Sequence, residues 1–282
     1  MTTIAVSGSH GLIGSALVRA LEARGDVVRR LGRDDAATHG VDSVDAVVNL
    51  AGENIFQRWT PSARRRIRDS RVSTTGAIAD AIAAAPRKPR VLLSGSAIGI
   101  YGNRADEVLD EASALGDDFL ASVCRDWEGA TQSAERAGVR VVHLRTGIVL
   151  ARGGGALGKM LLPFRLGLGG RLGSGRQWTS WISLADHVNA MLFLLDATTA
   201  SGPVNLVAPE PVRNSEFVKS LGRALHRPAM LPVPKVALKL ALGVMAEDTV
   251  LASQRVTPRV LQRLSFAYEH PRIEDAFRAA LR

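Results

Sequence analysis

Three glycines at fixed offsets, Gly8, Gly11 and Gly14, are the residues whose spacing speaks most directly of chemistry. The run Gly8-Ser9-His10-Gly11-Leu12-Ile13-Gly14 follows an apolar stretch, Ile4-Ala5-Val6-Ser7, and opens an amphipathic one from Ser15 to Arg24. In a strand–turn–helix unit the first glycine permits a tight turn and the second lets backbone approach a pyrophosphate. The third lets helix pack closely on strand. Free N–H groups at the helix start, with the helix dipole behind them, attract phosphate charge. A structural Gly-rich turn is the plainer alternative, but the strand before and the helix after favour a dinucleotide site.

The end of the second strand decides which dinucleotide. Val27-Val28-Arg29-Arg30-Leu31 ends in Gly32-Arg33. An arginine there suits the 2′-phosphate of NADP(H), because its planar donor fork matches phosphate oxygens. Asp34 and Asp35 follow at once, and a solvated loop charge is the other reading of Arg33.

The elements that must hold these groups alternate as strands and helices, the pattern of a doubly wound parallel sheet, a Rossmann fold. Asp45 to Gly52 reads as a strand with a glycine turn, Pro61 to Ala85 as a helix, and Val91 to Ser96 as a strand. Asp118 to Ala137 reads as one helix and Val139 to Arg145 as a strand. Only residues 34–44 separate Arg33 from Asp45, too few for the usual helix and third strand, so that sheet edge is expected to be trimmed. After Leu150 the texture changes to a glycine-rich tract. Residues 1–150 are therefore read as the nucleotide-binding domain and 151–282 as a smaller, mainly helical substrate lobe. Residues 184–210, a helix and a strand, are expected to return to the sheet.

Composition narrows the classes. A single cysteine, Cys124, rules out internal disulfides and suits a reducing compartment. No charged-then-apolar leader and no membrane-length apolar run is visible, so the expectation is a cytoplasmic chain without a membrane partner. Net charge is +9, yet the cations are spread out, and the densest cluster, Arg64 to Arg71, falls on a predicted helix. With no nucleic-acid-binding signature, that charge is read as serving anionic small ligands and solubility. Oligomeric state is not legible.

By their motifs these residues resemble an extended short-chain dehydrogenase/reductase. The glycine run, the Asn49-Leu50-Ala51-Gly52 turn, Ser94-Gly95-Ser96 with Tyr101-Gly102, and Leu144-Arg145 carry the likeness. More narrowly, Asn49 to Ile55, Phe119 to Glu128 and Gly173 to Trp178 resemble the epimerase-like subgroup with a C-terminal domain of unknown function, sometimes labelled cell-division inhibitors. The resemblance implies an NADP(H)-binding fold of the epimerase/dehydratase type. It places Asn49, Leu50, Ala51, Gly52, Ser94, Arg145, Thr146 and Ile148 beside the cofactor.

The superfamily's reaction needs a Tyr phenol and a Lys four residues later, on one helical face. Four residues after Tyr101 and Tyr268 stand Ala105 and Arg272, so the pair is absent. By analogy, Leu120 and Cys124 occupy its places. Ser96 remains as a hydrogen-bonding group for a substrate oxygen or as a strand cap. Cys124 is either an ionisable thiol or a small buried residue, and Tyr101 either a phenol near the nicotinamide or a packing aromatic. Arg71 either reaches the cofactor phosphates or forms a surface ion pair. Glu53 and Asn54 either contact substrate or shape their loop. Arg176, Trp178 and Trp181 suit an anionic or ring-bearing ligand, the alternative being a core tryptophan pair. Asp186 is either a helix-terminal charge or a functional group. The reading is a hydride-transferring, epimerase/reductase-like protein acting on a small polar substrate, with a non-catalytic NADPH sensor as the alternative.

Overall fold

The computed structural model describes residues 2–32 and 40–281; Arg33, with Asp34 and Asp35, lies outside the described residues. The chain opens with β1 (Thr3–Ser7), α1 (Leu12–Ala23), β2 (Val27–Leu31), β3 (Ala46–Asn49), α2 (Pro61–Ala84) and β4 (Val91–Ala97). It continues through a short 3-10 turn (Ile98–Tyr101), β5 (Val108–Leu109), α3 (Phe119–Gly129), α4 (Gln132–Arg136), β6 (Arg140–Thr146) and β7 (Ile148–Leu150). Next come α5 (Gly155–Arg165), β8 (Trp178–Thr179), β9 (Trp181–Ser183), α6 (Leu184–Asp196) and β10 (Gly202–Leu206). The rest is β11 (Val212–Arg213), α7 (Asn214–Ala224), α8 (Lys235–Leu242), α9 (Met245–Asp248), β12 (Arg255–Val256), α10 (Arg259–Arg263) and α11 (Ile273–Leu281).

Six strands form one sheet in the order β10-β6-β4-β3-β1-β2, and every pairing is parallel. Such a sheet needs cover on both faces, and its inner strands β1, β3, β4 and β6 are buried along nearly their whole length. Val6, Val48 and Leu93 pack with Leu17 and Leu21 of α1 and with Met191 and Leu194 of α6. On the other face Val47, Leu92 and Val141 meet Ile78 and Ile82 of α2. Among the described residues β2 pairs only with β1, so the trimmed edge expected from the short Arg33–Asp45 interval is found. Residues 202–206 rejoin the sheet through β10 against β6.

Two expectations change. The helix read over Asp118–Ala137 is two helices, because Thr131 turns its buried hydroxyl to Glu128 O (2.8 Å) and to His143 Nε2 of β6 (3.0 Å). A hydroxyl claimed by a neighbouring strand interrupts a helix that propensity alone would carry through. The glycine-rich tract after Leu150 is also less irregular than it reads. Gly155 to Arg165 form α5, whose Leu157, Leu161 and Phe164 lie in a separate core with Phe217 and Phe277. Among the described residues no helix is long and apolar enough to cross a membrane.

Candidate functional site

All six strands of a parallel sheet end on one edge, and the loops leaving that edge bring the motif residues together. Gly8 leaves β1 at φ +73°, and a Cβ there would stand 2.7 Å from the Leu50 carbonyl group. A Cβ on Gly14 would fall 2.1 Å from Gly8 O. Both positions therefore exclude any side chain, and the first loop lies directly against the Asn49–Gly52 turn. That turn is shaped from below: Asn49 Oδ1 accepts from Ala51 N (3.2 Å), and Asn49 Nδ2 donates to Thr75 Oγ1 (2.7 Å).

The start of α1 is prepared differently from its neighbours. Thr60, Asp118 and Ser183 cap α2, α3 and α6 with side-chain oxygens. The α1 N-cap is Gly11, which offers no side chain, and the first turn carries no acidic residue. Its N–H groups and positive dipole end are thus left for an outside acceptor. Ser9 is buried under this loop and His10 is exposed, with Ser9 Oγ 3.4 Å from His10 Nδ1. Leu12 and Ile13 are half-buried, and the Gly154–Gly155 entry to α5 closes over Leu12.

Beneath the edge runs a buried polar tier across three adjacent strands, β4, β6 and β10. Glu128 on α3 is its hub. Arg145 of β6 donates to it twice, Nε to Oε1 (2.9 Å) and Nη2 to Oε2 (3.0 Å), and Ser96 Oγ donates to Oε1 (2.7 Å). Arg145 Nη1 donates to Tyr101 OH (3.0 Å), which in turn donates to Asn205 Oδ1 of β10 (2.7 Å). Burial alone would raise the Glu128 carboxyl, but the paired Arg145 guanidinium outweighs it and holds the group below the ordinary carboxylate range. Burial pushes the Tyr101 phenol up.

This tier shows where several of the expected site residues lie. Arg145 donates to Glu128, Tyr101 and the Glu111 carbonyl and so serves as a buried strut between them. Ser96 is a buried donor to Glu128, and Tyr101 is completely buried with its phenol turned to Asn205. Ser94 is also completely buried, level with Asn49 and His143. Cys124 lies mid-helix among Ile98, Ile100 and Tyr101, and burial pushes its thiol up to about 12. It is a packing residue in this fold, far from the thiolate range that nucleophilic chemistry needs.

The remaining candidates separate. Arg71 stacks 5.1 Å from the Trp127 ring and donates to Glu53 O (3.0 Å) and Ile67 O (2.9 Å), which is neither a free phosphate ligand nor a surface ion pair. Glu53 Oε1 accepts from Gln57 Nε2 (3.3 Å), and Asn54 Oδ1 accepts from Phe56 N (2.9 Å), so both shape the loop. Lys159 of α5 reaches across to Phe56 O (3.1 Å), tying the lobe to that loop. Trp181 is completely buried, its indole donating to Glu210 O (3.2 Å), and belongs to the core beneath the lobe. Trp178 is half-buried between the Arg213 and Arg255 guanidiniums, 4.2 and 4.4 Å from its ring, and donates to Asp106 Oδ1 (3.0 Å). Arg176 is exposed beside this cluster. Ile148 N donates to Ser180 O (2.9 Å) as β7 joins β9. Thr146 Oγ1 shares a hydrogen bond with His187 Nε2 (3.0 Å).

Reading the residues alone misses Glu128, Asn205 and the role of Asp186. The completely buried Asp186 accepts from Ser183 Oγ (2.7 Å) and from the backbone N–H of Glu269 (2.7 Å) and His270 (3.0 Å), clasping the C-terminal segment to α6. The available signal for Glu128 was its place in an otherwise apolar helix face, since a buried carboxylate requires a partner. His187 carries a measurable consequence. Burial pushes its imidazole down to about 4, so it is neutral in the fold. The unfolded chain protonates near the ordinary value of about 6.5 and the native state does not, so stability falls as pH drops from there to about 4, by up to about 3 kcal/mol. Thermal melts of the protein and His187→Gln across this range are expected to show a flatter acid limb for the variant.

An all-parallel doubly wound sheet, a glycine cradle at its first strand end and a lobe closing over that edge define a nucleotide-binding protein of the short-chain dehydrogenase/reductase class. The profile of the NAD dependent epimerase/dehydratase family matches residues 4–207, and that of a domain of unknown function (DUF1731) matches 233–280. The chain belongs to this epimerase family. It is 44% identical over 289 residues to an epimerase family protein of Mycobacterium bovis, covering 97% of this chain and 95% of that one. It is 37% identical over 288 residues to the human epimerase family protein SDR39U1, covering 98% of each. The crystal structure of human SDR39U1 (isoform 2) with NADPH superposes with a TM-score of 0.93 at 36% identity, covering 99% of this chain and 98% of that one.

Proposed function

We propose that this chain binds NADP(H) at the glycine cradle and transfers hydride to or from a small polar substrate held between the strand ends and the lobe. The carrying observation is the start of α1, stripped of caps and acidic side chains and backed by two glycines that admit no Cβ. The likeness to SDR39U1, a protein crystallised with NADPH, supports the choice of cofactor. The Gly8–Gly14 backbone would hold the diphosphate, the Leu50–Gly52 turn would flank it, and Arg33 would read the 2′-phosphate. The bound nicotinamide would supply or accept the hydride. The chain's own part is to orient that ring over the strand ends and to exclude water beneath the Lys159–Phe56 tie. Arg176 and the Trp178 cluster stand as the lobe's polar, cationic contacts for substrate.

A second reading, an NADPH-binding sensor without turnover, is favoured by the tier beneath the edge. Ser96, Tyr101 and Arg145 all direct their hydrogen bonds inward. Fluorescence titration with NADPH and NADH, followed by a panel of carbonyl compounds, tests both readings. Tight NADPH binding that Arg33→Ala weakens far more than NADH binding is expected. Cofactor oxidation on adding one carbonyl class establishes the reductase; binding without oxidation by any class supports the sensor. Binding of neither cofactor overturns both.

A further inference from the structure

The lobe carries a face that the cofactor site does not use. The end of α5 and the segment after α7 are joined by two hydrogen bonds: the Arg227 side chain donates through Nε to Arg165 O (3.2 Å), and Leu231 N donates to Gly169 O (3.2 Å). Four large apolar side chains stand out from this seam, Leu166 at 65%, Leu168 at 56%, Met230 at 84% and Leu231 at 51% exposure. Beside them opens a depression of about 480 Å³, lined by Lys219, Arg223, His226, Arg227 and Met230 among others, with no acidic residue. A second depression of about 430 Å³ shares Arg223 and His226 and adds Arg278; its one carboxylate, Glu274, accepts from the Ser220 hydroxyl (3.0 Å). Among the described residues neither Lys219 nor Arg223 has an ion-pair partner.

Exposed apolar groups in such number ask for a partner. We propose that this face docks on an anionic phospholipid surface. Phosphate headgroups would sit in the Arg223–Arg227 depression, and Leu166, Leu168, Met230 and Leu231 would enter the acyl boundary. The chemistry is that of a peripheral contact, apolar insertion combined with attraction of cations to anionic lipid, and it requires no spanning helix. A second copy of the chain is disfavoured because an isologous contact sets like patches face to face, cation against cation. A folded acidic protein is disfavoured because, of the four exposed apolar side chains, only Met230 lines the cationic depression, which leaves no apolar groove for an anchor.

The test is flotation of the full chain with vesicles of phosphatidylcholine alone and of phosphatidylcholine with phosphatidylglycerol, at low and high salt. Partition to the anionic vesicles is expected to exceed that to the neutral ones by about tenfold or more at low salt and to collapse at high salt. Two double variants, Lys219→Glu/Arg223→Glu and Leu166→Glu/Met230→Glu, are each expected to lose it while melting temperature and NADPH fluorescence stay unchanged. All four positions are exposed, so the fold is retained. No partition, equal partition to both vesicles, or partition unchanged in both variants overturns the proposal. So does variant-sensitive binding confined to inorganic pyrophosphate or polyglutamate, or self-association abolished by the apolar variant.

Discussion

Glu128→Ala is expected to lower the melting temperature on the order of 10 °C. The reason is what remains. Arg145, 4% exposed, would keep its charge inside the protein with two of its donors unpaired. Removing one member of a buried pair costs about 3–5 kcal/mol, mostly from the stranded partner. At this chain length each kcal/mol corresponds to roughly 2–4 °C. Ser96→Ala removes only a neutral donor and is expected to cost about 1 kcal/mol. The double variant Glu128→Leu/Arg145→Met separates charge stranding from lost shape. Replacing a buried pair with apolar residues of like size is often neutral, so the double variant should recover most of the loss. The pH response carries a sign as well. The folded Glu128 carboxyl sits below its unfolded value, so its contribution is complete above the ordinary carboxylate range and is lost as pH falls through the lower folded value. Melts of wild type and Glu128→Ala should therefore converge in acid. A shift below about 2 °C at neutral pH, under 1 kcal/mol on the same scale, would show that the tier is not structurally coupled.

That hub was hard to read from the chain because its members come from α3, β4, β6 and the turn after β4, and nothing local records their meeting. Glu128 and Arg145 are seventeen positions apart, and the resemblance placed Arg145 beside the cofactor with no partner named. What local pattern does encode is the frame. Apolar runs located the inner strands of the sheet, since a strand buried on both faces has no alternation to blur. The eleven-residue interval after Arg33 foretold the trimmed edge by length alone. The two tryptophans are a different case, because the sequence does not tell them apart. Trp178 and Trp181 are three residues apart in one tract, yet one stacks between guanidiniums at the surface and the other is fully buried. Side-chain type identifies an aromatic; only packing assigns it to a cavity or a core. Thr131 shows the same limit in the backbone, where a strand neighbour overrides helix propensity.

Gly11→Asp should move cofactor affinity and stability in different directions. Gly11 is the N-cap of α1 and already holds the extended conformation, φ −71° and ψ 171°, that an aspartate cap adopts. A Cβ there meets only Gly8 O, at 3.3 Å, a contact that a small shift relieves. The new carboxylate would accept from the free N–H groups of the first turn and lie at the positive end of the helix dipole. Relative to glycine that gains only a few tenths of a kcal/mol, so melting temperature should stay level or rise slightly. The same carboxylate would occupy the place offered to the diphosphate and oppose its charge. NADPH affinity is expected to fall about 100-fold, some 2.7 kcal/mol at roughly 1.4 kcal/mol per decade. Gly11→Asn serves as the control, since it caps equally well without the charge and should lose markedly less. An unchanged affinity in Gly11→Asp, with the helix intact by circular dichroism, would remove the start of α1 from the cofactor site. A loss in Gly11→Asn as large as in Gly11→Asp would assign the effect to volume in the cradle, leaving electrostatic repulsion no part in it.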